Sequence, residues 1–172
     1  MRMDLLVMVL TLVISAAAQD LLPGLPGETL KIPFLTGVAM YYALNRPLAM
    51  ALVAAMWAGW LTDGPGGLPC ACTSIFLLLL ALGLRPLRRF FLDGTFIGVV
   101  AATTGAVLLQ ALWQMIWARL AFHGGAWTII GDIILLPLSG GVAGAVAYPL
   151  VRVLDLLAGN VKSRKDVLHG TA

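Results

Sequence analysis

Six apolar stretches, separated by short segments rich in proline, glycine or charge, make up most of this chain. The first, Leu5 to Ala18 behind Arg2, ends in Ala16-Ala17-Ala18-Gln19, a small-residue pattern that a signal peptidase could accept. Asp4 spoils the basic region such a signal needs, and apolar character resumes at Leu21 and Leu22. Leu5 to Leu22 therefore reads as an uncleaved helix that nearly crosses a hydrocarbon core needing about 20 residues, with a cleaved signal as the alternative. Pro23-Gly24-Leu25-Pro26-Gly27-Glu28 breaks any helix, because proline lacks a backbone donor and glycine lacks a side-chain constraint.

A second stretch, Leu30 to Leu44, carries Pro33 in its first turn, where a missing N–H costs little. Asn45-Arg46-Pro47 reads as a tight turn into a third stretch, Leu48 to Leu61, so these two short helices form an antiparallel hairpin that tilts little or thins the bilayer. Thr62 to Pro69 is the densest breaker cluster and predicts irregular backbone, which lipid cannot solvate, at an interface or buried by protein. The fourth helix is expected from Cys70 to Leu84, ahead of the basic Arg85-Pro86-Leu87-Arg88-Arg89. The fifth is expected from about Gly94 to Trp117. The sixth runs from Trp127 toward Leu157, with Pro137 and Pro149 predicting kinks or a break. Residues 1–158 thus form a single transmembrane helical domain, and 159–172 a polar cytoplasmic tail.

Composition agrees with a lipid solvent. Of 172 residues 60% are hydrophobic and 11% charged, and the mean hydropathy is +0.97, far too apolar for a soluble domain of this size. The formal charge of +3 comes from basic residues in ones, twos and threes between apolar runs, not from the stripe a nucleic-acid surface needs. With six spans and both termini cytoplasmic, the cytoplasmic set is Arg2, Arg46, Arg85, Arg88, Arg89, Arg152, Lys162, Arg164 and Lys165. Only Lys31 and Arg119 of the 11 basic residues then fall outside, as the positive-inside rule asks. Trp57, Trp60, Trp113, Trp117 and Trp127 lie near the outer ends, where indole rings prefer the headgroup level. A five-helix alternative, with Leu30 to Leu61 as one kinked helix, puts Arg85, Arg88 and Arg89 opposite Arg2. The expected fold class is an all-α, polytopic membrane helix bundle.

Lipid gives helices no hydrophobic reason to associate, so close packing depends on small residues. Ala51, Ala55 and Gly59 form a small-xxx-small ridge on the third helix, and Gly98, Ala102 and Ala106 form another on the fifth. Gly140 and Gly144 stand at GxxxG spacing on the sixth. These ridges are expected at helix packing or partner interfaces, beside the plain reading that small residues are common in membrane helices.

Polar residues inside membrane helices are costly and make the default functional candidates. Gln110 and Gln114 share a face of the fifth helix and either bond across helices or line a polar cavity. Arg119 and Asp132 fall on the same side and are placed to pair across an outer loop. Asp63 either caps a helix, reaches Arg119, or remains a plain loop residue. Cys70 and Cys72 fit neither a redox nor a zinc spacing and read as apolar fillers. His123 and His169 have no partner at ligand spacing. No nucleophilic triad, nucleotide-binding motif or pair of membrane carboxylates can be assembled, so neither an enzyme nor a cofactor or metal site is expected.

The length, the six short helices and the segments Lys31-Ile32-Pro33-Phe34-Leu35 and Gly59-Trp60-Leu61-Thr62-Asp63-Gly64-Pro65-Gly66-Gly67-Leu68 resemble the bacterial rod shape-determining MreD family. In that family a proline opens the second helix, and a glycine-rich third helix ends in a Gly-x-x-x-Asp element before a glycine-containing turn. Pro33, Gly59, Asp63 and Gly67 occupy the matching places. Pro65, Pro69 and the proline-bearing last helix have no counterpart in it. The sharp part of the resemblance covers Lys31 to Leu68. It implies a non-catalytic scaffold of the cell-elongation machinery in the inner membrane, binding an MreC-like bitopic partner and through it the peptidoglycan-synthesis proteins. The family also looks similar in fold to the substrate-binding S-components of energy-coupling-factor vitamin transporters. A small-molecule binder, with its pocket beneath the Asp63 to Pro69 segment and lined by Gln110, Gln114, Trp113 and Trp117, is therefore the alternative.

Overall fold

The computed structural model describes residues 2–21, 32–66, 72–87, 95–121 and 129–157. They form six helices: α1 (Arg2–Leu21), α2 (Phe34–Asn45), α3 (Leu48–Gly66), α4 (Cys72–Leu87), α5 (Phe96–Ala121) and α6 (Ile129–Leu157). The described residues contain no strand. Stretches in three of the helices, Asp4–Leu21, Phe96–Gln114 and Leu136–Leu156, are long and apolar enough to cross a membrane, while α3 and α4 are apolar but shorter.

The shortest helix organises the rest. Its sequence, Phe34-Leu-Thr-Gly-Val-Ala-Met-Tyr-Tyr-Ala-Leu44, has no polar face, and a helix apolar all round belongs inside. Every residue from Phe34 to Leu44 is buried, and α2 touches all five other helices. At ~1.5 Å per residue its 12 residues reach only part of the way across a ~30 Å hydrocarbon core. Because protein rather than lipid surrounds it, that shortness creates no mismatch at a lipid boundary.

Several boundaries differ from those read in the sequence. Pro33 is the N-cap of α2 rather than a first-turn residue, its own ψ of 68° lying outside the helical range, and a proline also disfavours helical backbone at the residue before it, here Ile32. The same rule breaks the chain at Arg46-Pro47, where Arg46 is extended at φ −118°, ψ 164°. Two helices therefore form where the five-helix alternative needs one. The expected irregular segment starts too early: α3 continues through Thr62, Asp63 and Gly64 to Gly66. There the Thr62 hydroxyl donates to the Ala58 carbonyl at 2.7 Å, and Asp63 is anchored to the next helix. A proline in a last turn interrupts little helix beyond it. Gly67 and Pro69 lie outside the described residues, as do the 22–31 segment, Trp127, both histidines and the tail. The helix α4 likewise carries Pro86 in its last turn. Of the kinks or break expected in α6, the break does not occur, since the helix runs unbroken through Pro137 and Pro149. Membrane helices tolerate such prolines when neighbours resatisfy the freed groups.

Glycines set the closest approaches. A Cβ on Gly37 would stand 2.8 Å from the Ala143 carbonyl oxygen of α6, one on Gly140 2.9 Å from Thr104 Cα, and one on Gly144 2.9 Å from Val100 Cα. A Cβ on Gly59 would collide with the backbone of Ser74 on α4. Gly98 is buried, and Ala51, Ala55, Ala102 and Ala106 all join the apolar core. On α5 the neighbouring Gly105 faces open space.

Candidate functional site

Polar side chains gather at the two ends of the bundle. At one end, the α2–α3 turn, the start of α1 and the last turns of α6 meet. Arg46 donates to Asp4 Oδ1 at 3.3 Å and makes a second, closer ion pair with Asp155. The Asp155 side chain is 9% exposed, that of Asp4 24%. Rings surround this triad. Tyr41 meets Tyr42 and Tyr148 edge-on, each at 5.9 Å between centroids, and Phe96 at the start of α5 meets Tyr148 at 5.5 Å. Arg152 lies over the Tyr148 ring at 5.4 Å from its centroid and donates to a tyrosine hydroxyl, that of Tyr148, at 3.2 Å. Charge burial in an apolar surround is costly unless the ions are paired, and the tyrosines form an amphipathic wall between the ions and the apolar core.

At the other end, α3 hands over to α4. The N–H of Thr73 donates to both carboxylate oxygens of Asp63, at 3.2 and 3.1 Å, and Asp63 is 3% exposed. A carboxylate accepting an N–H in the first turn of a helix supplies the acceptor that the helix start lacks and complements its positive end. Ser74 donates to the Met56 carbonyl at 3.3 Å, next to the Gly59 contact. Trp113 on α5 donates its indole N–H to the Cys72 carbonyl and sulfur, both at 3.2 Å. One turn away on α5, Gln110 accepts from the Thr36 hydroxyl of α2 at 2.9 Å. Among the described residues, the buried Thr73 hydroxyl has no hydrogen-bond partner.

The residues singled out in the sequence thus divide. Gly59, Asp63, Gln110 and Trp113 come to the α3–α4 end, while Pro33 opens α2 there. Gln114 is half-buried. Trp117, Arg119 and Asp132 lie on helices whose side chains are outside the described ones at those positions, as Gly67 is altogether. Cys72 is buried, in keeping with an apolar filler, but also accepts from an indole. The Arg46 triad and its tyrosines were not anticipated. The available signal was topological: with six alternating helices, Asp4, Arg46 and Asp155 all fall at the same end.

As chemistry, both clusters join helices. Neither places a nucleophile against a base, and among the described residues no three His, Cys, Asp or Glu side chains gather as metal ligands do. Set against protein families, curated proteins and solved structures, the chain matches none of them. What the fold defines is an all-helical bundle with three helices able to span a membrane.

Proposed function

We propose that this chain is a six-span protein of the bacterial inner membrane, with both termini cytoplasmic, that acts as a non-catalytic scaffold of the cell-elongation machinery. Its partner is an MreC-like bitopic protein, through which it reaches the peptidoglycan-synthesis proteins. The observation that carries this reading is the use made of the motif positions. Gly59 lets α3 touch the Ser74 backbone, Asp63 holds the first turn of α4, and Pro33 starts the central helix. Each shapes the bundle, as a scaffold motif should, and none is aimed at a substrate. Two polar groups that a ligand could have used are also engaged, the Gln110 carbonyl by Thr36 and the Trp113 N–H by Cys72. Pockets normally orient ligands through a few convergent, available polar groups.

The test is purification of the tagged chain from its native membrane in gentle detergent, with co-purifying proteins identified by mass spectrometry. A bitopic MreC-like protein accompanied by cell-wall synthases is the expected result. A transmembrane coupling subunit with ATPases would replace the scaffold by the vitamin-transporter reading.

A further inference from the structure

The helices are not held equally. α1 meets α2, α3 and α6 through a narrow strip, Val7, Met8, Thr11, Leu12 and Ser15. The rest of its surface faces outward, with Leu6, Val9, Leu10 and Val13 between 42% and 59% exposed. Its apolar window is 28% buried, against 39% in α5 and 33% in α6. The polar ties to α2 are long at each of three levels: Asp4 to Arg46 at 3.3 Å, Thr11 to the Tyr42 hydroxyl at 3.4 Å, and Gln19 to the Leu35 amide at 3.5 Å. Hydrogen bonds near that upper limit are weak, which leaves the Asp4–Arg46 charge attraction as the strongest of the three.

Of the groups that α1 would leave behind, the Tyr42 hydroxyl and the Leu35 amide lose only the two long contacts, and the one charged group stays paired. Arg46 keeps its closer partner, Asp155 of α6. The Thr11 hydroxyl already donates within its own helix, to the carbonyls of Val7 at 2.6 Å and Met8 at 2.9 Å, so it is not stranded in lipid. The apolar strip moves from protein to acyl chains, a transfer with no hydrophobic penalty. From this asymmetry we infer that α1 is a detachable helix, latched onto a self-sufficient α2–α6 core by the Asp4–Arg46 pair. Its release opens the Tyr42 side of α2 laterally to the bilayer. The second carboxylate on Arg46 makes this a latch rather than a structural bond, because the arginine is paired in both states.

The full chain in lipid nanodiscs tests this. In a background carrying Cys70→Ala and Cys72→Ala, spin labels are attached through Val13→Cys on α1 and Leu79→Cys on α4, positions 56% and 57% exposed. Distances are read by pulsed electron resonance. Asp4→Asn is expected to raise a longer-distance population severalfold while the thermal midpoint of the remaining helical signal stays close to that of the parent. Asp155→Asn is expected to lower that midpoint without adding the longer distance in the folded fraction. An unchanged distance distribution with Asp4→Asn would overturn the latch. So would an Asp4→Asn protein that melts as a whole, as Asp155→Asn does, since α1 would then be integral to the core.

Discussion

Arg46 and Asp155 stand 109 positions apart in the chain and are joined in space, the first in the turn after the central helix and the second near the end of the last one. Their pairing fixes the beginning of α3 against the end of α6. In the low-dielectric surround of a bundle, an arginine there is tolerable only with its charge compensated.

Asp155→Asn is therefore expected to destabilise the fold by about 3 kcal/mol, the lower end of what breaking a buried pair costs, because Arg46 retains Asp4. Asp4→Asn is expected to cost no more than ~1 kcal/mol, as for a partly exposed pair. Reversible unfolding of each variant in mixed micelles measures the difference. Equal effects would mean that the two carboxylates share the charge evenly.

Gly59→Ala is expected to destabilise by about 1–3 kcal/mol, because its Cβ would strike the backbone of Ser74 rather than a side chain able to move. Gly105→Ala, where a Cβ meets nothing, is expected to be neutral or stabilising by up to ~1 kcal/mol through helix propensity. The comparison separates a close-packing role from a generic glycine effect, and thermal midpoints of the two variants suffice to read it.

Asp63→Ala removes the acceptor for the Thr73 amide and is expected to cost about 1 kcal/mol, as lost N-caps do. Hydrogen exchange read by mass spectrometry should quicken at the start of α4 and not in α5. Uniform quickening along the chain would indicate a global defect instead.

Thr36→Val and Gln110→Leu each break the α2–α5 bond, while the double variant removes both polar groups. A double-mutant cycle is expected to give a coupling of about 0.5–1.5 kcal/mol, the range for hydrogen bonds between membrane helices. A coupling of zero would leave Gln110 available to a ligand.

The class of fold was legible in the chain because lipid compatibility is a property of composition and run length. Six apolar stretches gave six helices, and Arg46-Pro47 separated α2 from α3 because the backbone restriction imposed by proline is local. Helix ends were harder: Asp63, Gly64 and Pro65 look like a break until α4 supplies the Thr73 amide that anchors Asp63. Small residues announced close packing, but Gly59 and Gly105 look alike in sequence. Only the neighbouring helix decides which of them a side chain would overfill. Likewise, no local pattern distinguishes Gln110, held by Thr36, from Gln114 one turn on. The Arg46 triad depended on contacts across 42 and 109 positions. Sequence determined which segments form apolar helices. Tertiary structure decided which charges, glycines and amides meet there, because those encounters depend on how separate helices are turned and how closely they approach.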